Sequence, residues 1–223
     1  ERAKLIGQVA GPAPAFGYPK GAPRTGVDVT QEPGGTTHFV VVDRDGNVVS
    51  MTTTVESIFG SGRMVGGFFL NNQLTDFSFD ARDAAGPVAN RVQPGKRPRS
   101  SMTPAMIFTP DGKPMVAYGS PGGSTIINSV FNVALNLIDH KMPLQDAINA
   151  PRLSITSATA NLTMEPGFAA TTVDGLRGLR YTVTVTPPGG EIGSVQAVIV
   201  DHKTGKQYGG ADGRREGTVI GLP

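Results

Sequence analysis

The sequence predicts an α+β sandwich whose β component is more antiparallel than parallel. Three observations carry this expectation. β-Branched and apolar runs come in pairs separated by turn residues, one segment has strong helical periodicity with shorter helices after it, and no internal repeat is visible in the 223 residues. With 38% hydrophobic and 17% charged residues, a chain of this length can bury the core of one ordinary domain.

Gln8 to Gly35 holds six Gly and five Pro in 28 positions and little hydrophobic periodicity, so it is expected to be an extended arm. The pattern changes at Thr36. Thr37-His38-Phe39-Val40-Val41-Val42 is strand-like, Asp43 to Asn47 carries turn chemistry, and Val48 to Val55 is strand-like again, which predicts a hairpin. Phe68-Phe69-Leu70 reads as a short buried strand, and Pro94 to Arg99 as a basic loop. Met106-Ile107-Phe108, a turn over Thr109–Lys113, and Met115 to Tyr118 predict a second hairpin. The clearest helix follows Gly119-Ser120-Pro121-Gly122-Gly123, with Ile126, Ile127, Val130, Phe131, Ala134, Leu137 and Ile138 at helical spacing and Ser124 as its expected N-cap. A short helix is expected from Pro143 to Ala150, stopped by Pro151, and another near Ala169 to Leu176. Strands at Tyr181–Thr186 and Val195–Asp201 and a turn at Lys203–Lys206 complete the reading. Phe16, Phe68, Phe69 and Phe77 are packing candidates.

Composition excludes several functions. Lys plus Arg minus Asp plus Glu is 20 − 18 = +2, and no basic run is present, so nucleic-acid binding is disfavoured. Without Cys there is no thiol catalysis, thiolate metal site or disulfide framework. His38, His140 and His202 are too scattered for a metal cluster, and no cofactor is expected. No stretch approaches the ~18 apolar residues of a membrane span. Serine-elbow, zincin, P-loop and dinucleotide motifs are all missing.

Two features remain. Gly34-Gly35-Thr36-Thr37 stands at the head of a strand, and Gly122-Gly123 at the start of the best helix. Cleavage before Thr36 would give it a free α-amine with a pKa of ~7.7–8.0, able to take the proton of its own hydroxyl. The glycines before it permit the strained backbone that attack on the preceding carbonyl needs. Amides at a helix start favour an oxyanion. On the residues alone, Thr-Thr is also ordinary strand propensity and Gly-Gly an ordinary turn.

Four ordered blocks add a resemblance. Thr36–Asp43, Leu70-Asn71-Asn72-Gln73-Leu74-Thr75-Asp76-Phe77-Ser78, Lys96-Arg97-Pro98-Arg99-Ser100-Ser101-Met102 and Gly119–Ser124 resemble the signature blocks of the small, catalytic subunit of γ-glutamyltranspeptidases. The likeness continues through Asn149–Arg152, Glu165–Phe168, Gly193–Gln196 and Gly209–Asp212, and so covers essentially all of the chain from Thr36. It implies an N-terminal-nucleophile hydrolase fold, a four-layer αββα sandwich of which this chain is the small-subunit half. Residues 1–35 would be the tail of the large subunit, ending at an autocleavage bond between Gly35 and Thr36, and residues 36–223 the catalytic domain.

By the same resemblance Thr36 is the nucleophile toward glutathione or a related γ-glutamyl donor, giving an acyl-enzyme resolved by water or an amino-acid or peptide acceptor. Thr54 lies beside its hydroxyl, and Gly122 and Gly123 supply oxyanion amides. Ser100 and Ser101 hold the donor's α-carboxylate; Gln73 and Asp76 surround its α-ammonium. Thr37 is expected to support Thr36 by hydrogen bonding and His38 to be structural, while Lys96 and Arg97 read as solvated. The implied partner is the large subunit of the same precursor, and the implied location periplasmic or extracellular.

Glu56 departs from the family, because many relatives carry an Asn there against the donor's amino-acid end. The Phe79–Gly95 segment is short and lacks the aromatic of a longer lid, which favours hydrolysis over transfer. Relatives have several hundred residues before the nucleophile; with that layer missing, apolar faces are expected to lie uncovered. Two other readings stay open: a glutaryl-type (cephalosporin) acylase of the same superfamily, and an uncleaved, non-catalytic fragment that assembles with other chains.

Overall fold

The computed structural model describes residues 2–13, 17, 18, 20–28, 30, 35–156 and 159–221. Gly34 and Phe16 lie outside them. Strand β1, Thr36–Val42, is returned by the Asp43–Asn47 turn into β2, Val48–Thr54, in an antiparallel register that sets Thr36 opposite Thr54. The Asp43 carboxylate organises the turn by accepting the Asp45 and Asn47 amides at 2.9 and 2.8 Å. Two small hairpins follow, β3 (Met64–Val65) with β4 (Phe68–Phe69) and β5 (Arg82–Asp83) with β6 (Gly86–Pro87), flanking a 3₁₀ turn at Gln73–Asp76. The expected Phe68 strand exists but is not buried: Phe68 is 62% exposed, because its two-residue hairpin pairs only with itself. Phe77, by contrast, is buried.

The main sheet is antiparallel. β7 (Ala105–Phe108), β8 (Pro114–Gly119), β12 (Gln196–Asp201) and β13 (Lys206–Ala211) lie in the order β13-β12-β8-β7. Helices α1 (Ile126–Ile138) and α2 (Leu144–Asn149) pack on one face, where Val116, Tyr118, Ile126, Val130, Val133, Leu144, Ile148, Val195 and Ala197 form the core. The β1–β2 hairpin covers the other face. Successive residues of a strand point to opposite faces, and next to core-facing Tyr118 a side chain at Gly119 would strike the His38 ring, at 2.4 Å. A third sheet, in the order β11-β10-β9, comprises β9 (Leu153–Ser154), β10 (Asn161–Met164) and β11 (Thr182–Val185), with α3 (Ala170–Gly178) between β10 and β11. β10–β11 is the one parallel pair among the named strands.

Helix α1 begins later than its sequence suggests. Gly123–Thr125 form a 3₁₀ turn first, so Ser124 is not an N-cap: Gly122 precedes the turn and Thr125 precedes the helix, neither with a side-chain cap bond. Periodicity also could not say which apolar stripe faces the sheet. Ile126, Val130 and Val133 are buried, while Ile127, Phe131 and Ile138 are exposed. Phe39, Val41, Val49 and Met51 on the outer face of the hairpin are exposed too, in line with the expectation of uncovered apolar faces.

A buried ionic network ties the C-terminal half together. Arg152 and Asp212, both about 1% exposed, meet at 2.6 Å. Arg214 forks onto Glu165 at 2.7 and 2.6 Å, and Glu165 also accepts the Arg152 and Ile192 amides. Burial pushes the Asp212 carboxyl up, but the Arg152 charge and the Arg214 and Val195 amides outweigh it and hold the carboxyl below its usual range. The Asn149–Arg152, Glu165–Phe168 and Gly209–Asp212 blocks thus meet in a structural cluster.

Candidate active site

The hairpin register brings the two threonines together. The Thr36 hydroxyl donates to Thr54 Oγ1 at 3.1 Å, and the Thr54 hydroxyl donates to the Gly35 carbonyl, also at 3.1 Å. Thr54 Oγ1 further accepts the Glu56 amide at 2.8 Å, and the Gly35 amide closes the turn on the Glu56 carbonyl at 2.8 Å. One hydroxyl therefore receives the proton of Thr36 and polarises the carbonyl just before it, with its donor and both acceptor positions in use. The chain is continuous from Gly35 to Thr36. Thr37 does not share this cluster: it is exposed and pairs across the hairpin with Thr53. Strand alternation turns it to the opposite face from Thr36.

A small cavity is lined by Thr36, Thr54, Glu56, Gln73, Asp76, Ser100, Ser101 and Gly123, with Met102 and Ile126 as apolar walls. Eight of the nine residues singled out in the sequence thus share one cleft. Gly122 does not line it. Its φ of 144° and ψ of 11° place it one residue back, against Gly193, and any side chain there would meet Thr125 Oγ1 at 2.6 Å. The cleft offers about 10 Å³ to the centres of water-sized molecules, room for about one water. None of residues 79–95 lines it; that segment folds into the β5–β6 hairpin and docks on the arm through a parallel bridge between Gly26 and Val88.

Glu56 is buried, at 5% exposure, with a φ of 76°. This left-handed backbone favours Gly and Asn over a longer side chain, so the position is strained beside the Thr54 relay. Asp76 is likewise buried, and the Gln73 side-chain amide bonds its carboxylate. Asn72 joins this turn to the end of β2 by accepting the Ser57 amide at 3.0 Å and donating to the Ser57 hydroxyl at 3.1 Å.

His38 is structural in its surroundings. Its Nδ1 pairs with the Thr52 hydroxyl at 2.8 Å, and its Nε2 lies 3.4 Å from Ser50 Oγ, which also bonds the Tyr118 carbonyl. Burial disfavours the charged ring and lowers its pKa to about 4. Lys96 is not simply solvated, since its ammonium bonds the Ala89 and Arg91 carbonyls and closes the loop on itself. Sequence reasoning missed Met102 and Ile126 as walls, and Arg215, whose guanidinium donates to the Thr36 carbonyl at 3.3 Å. Met102 ends the Lys96–Met102 block, whereas no local pattern marks Arg215, 179 residues away.

Among the described residues, no helix is long and apolar enough to cross a membrane. The family model for gamma-glutamyltranspeptidase matches residues 1–222. The glutathione hydrolase proenzyme of Bacillus subtilis is 45% identical over 191 residues, covering 85% of this chain and 31% of its own length. The chain thus spans about a third of the curated relatives it matches. The solved gamma-glutamyltranspeptidase of Pseudomonas nitroreducens superposes with a TM-score of 0.71 at 34% identity, covering 84% of this chain and all of that one. A cephalosporin acylase from Bacillus halodurans superposes over the whole chain with a TM-score of 0.82 at 27% identity, covering 37% of that chain. The architecture is that of the N-terminal-nucleophile hydrolases, and this chain belongs to the gamma-glutamyltranspeptidase family.

Proposed function

We propose that this chain is the nucleophile-bearing part of a γ-glutamyl hydrolase or transferase, activated by cleavage of its own Gly35–Thr36 bond. The relay from the Thr36 hydroxyl through Thr54 to the Gly35 carbonyl carries this reading. In the first step Thr36 Oγ1 bonds to the Gly35 carbonyl carbon, the C–N bond breaks, and the Thr36 nitrogen takes the proton. Water then hydrolyses the resulting ester and leaves a free amine on Thr36. In turnover that amine accepts the Thr36 hydroxyl proton while Oγ1 attacks the γ-amide of glutathione or a related donor. The amine product leaves, and the acyl-enzyme passes to water or to an amino-acid or peptide acceptor.

The remaining assignments follow from charge and proximity. Asp76 and Gln73 receive the donor's α-ammonium, Ser100 and Ser101 its α-carboxylate, and the Gly122 and Gly123 amides the oxyanion. Glu56 adds a second carboxylate to the cavity wall, which attracts an ammonium and repels a carboxylate. The cleft offers about 10 Å³ in the unbroken chain, below the ~300–1,000 Å³ usual for ligand pockets, so on this reading cleavage widens it. We assign residues 1–35 to the tail of the large subunit, take that subunit as the partner, and place the protein in the periplasm or outside the cell.

The test is mass spectrometry of the purified full-length protein, followed by turnover of γ-glutamyl and glutaryl anilides. A new N-terminus at Thr36 and γ-glutamyl turnover, both abolished by Thr36→Ala, are expected; a chain that stays intact on prolonged incubation refutes the reading. The acylase alternative, whose solved relative is 27% identical to this chain, predicts glutaryl turnover instead. Two carboxylates in the cleft argue against a donor without an ammonium. Asp76→Asn should weaken the γ-glutamyl donor far more than the glutaryl one, and equal losses would remove the ammonium role.

A further inference from the structure

Behind the residues that line the cleft, one buried side-chain amide touches three separate segments. Asn90 is 8% exposed. Its Nδ2 donates to the Asp28 carboxylate at 2.7 Å and to the Asp76 backbone carbonyl at 2.6 Å, and its Oδ1 accepts the Arg99 amide at 2.9 Å. Two acceptors on one side and an N–H on the other fix the orientation of the amide. The Asn90 backbone carbonyl also accepts the Ser78 amide at 3.0 Å. Asp76 and the residue directly before Ser100 are therefore held by the same residue.

The third partner belongs to the arm. Asp28 accepts the Thr30 amide and hydroxyl at 3.0 and 2.6 Å and lies 3.4 Å from Arg99 Nε. The Gly26 amide donates to the Pro87 carbonyl at 2.9 Å, and the Val27 amide to the Asp83 carboxylate at 2.8 Å. A row of bonds thus lays residues 26–28 and Thr30 along the 83–99 loop, with Asn90 at its inner end.

We propose that Asn90 is a positioning residue for the donor: its side-chain amide sets the spacing between Asp76 and the Ser100–Ser101 pair, and the Asp28 carboxylate on the arm holds that amide in place. The proposal rests on the donor-binding reading above. An amino acid carries its ammonium and carboxylate on one carbon, so the groups that receive them must keep a fixed separation, and small misplacements are costly. Asn90 bonds Asp28, Asp76, Arg99 and Ser78 rather than the Thr36 hydroxyl or the Gly123 amide, so its loss is a loss of donor affinity rather than of chemistry.

The experiment is steady-state hydrolysis of a γ-glutamyl anilide by the cleaved full-length protein. Asn90→Asp keeps the size and the acceptor for Arg99 but sets a carboxylate against Asp28 and the Asp76 carbonyl. Its KM should rise about tenfold or more while kcat changes less than about threefold. Asp28→Asn, at a side chain 12% exposed, should raise KM about threefold alone and partly restore the KM of Asn90→Asp, because the swapped pair again sets an amide against a carboxylate. If Asn90→Asp fails to cleave, the Asp28 variants decide: an unchanged KM in Asp28→Asn and Asp28→Ala overturns the proposal. An unchanged KM in cleaved Asn90→Asp, or a loss confined to kcat, overturns it as well, while wild-type turnover leaves the donor reading standing. A cleaved wild type that ignores the anilide overturns the donor reading instead.

Discussion

Thr54→Val removes a hydroxyl and little else, and the structure sets how much that should matter. Three hydrogen bonds vanish: the one from Thr36, the one to the Gly35 carbonyl, and the one from the Glu56 amide. Thr36 lines the cleft with its room for one water, while the amide of Glu56, a residue 5% exposed, loses its acceptor. An unsatisfied buried donor costs about 1–3 kcal/mol of stability, which urea unfolding of the uncleavable Thr36→Ala background would register. The kinetic effect is separate. Thr54 donates to the carbonyl oxygen that becomes negative when Thr36 attacks, and removal of one such donor slows comparable steps about 10²–10³-fold. The assay is a time course of intact mass, fitted as a first-order loss of the unbroken chain. Thr54→Ser keeps the hydroxyl and should recover most of the rate. Cleavage of Thr54→Val within about threefold of the unaltered chain would show that the relay is not part of the reaction.

His38 should make stability depend on pH. Its folded pKa of about 4 lies below the unfolded value of about 6.5, so the fold binds the neutral ring; the contribution is complete above pH 6.5 and is lost as pH falls toward 4. The loss is on the order of 3 kcal/mol, and His38→Gln should flatten the curve; an identical curve in the variant would acquit His38. Glu56→Asn should raise the urea midpoint by an amount equivalent to about 0.5–1 kcal/mol, because Asn tolerates the φ of 76° better, and should re-order donor preference. No change in donor ranking would separate Glu56 from specificity. Asp212→Asn strands the Arg152 charge at 1% exposure and should cost about 3–5 kcal/mol; a midpoint within error of the unaltered protein would mean that Glu165 or water takes over the pairing.

Local patterns carried the hairpins well. The β1–β2 and β7–β8 pairs fall where alternating apolar runs flank turn residues, because a hairpin is written within one short stretch of neighbouring residues. The parallel β10–β11 pair was not legible, since its strands are short and joined by α3, and pairing across a crossover leaves no signal in either strand alone. Burial was the least legible property. Phe68 and Phe131 are as apolar as Phe77 and Val130, yet the first two are exposed, because whether an apolar face is covered depends on what packs over it.

The sequence by itself marked one threonine after paired glycines as a candidate centre and, through a resemblance, the short blocks expected around it, since hydroxyl, amide and carboxylate types at given positions are local information. Tertiary structure alone decided that Thr37 turns away from the Thr36 hydroxyl, that Gly123 but not Gly122 lines the cleft, and that Asn90 joins Asp28, Asp76 and Arg99. Those outcomes are set by strand register and by contacts between residues as far as 62 positions apart. Their geometry exists only once the non-local pairings have formed.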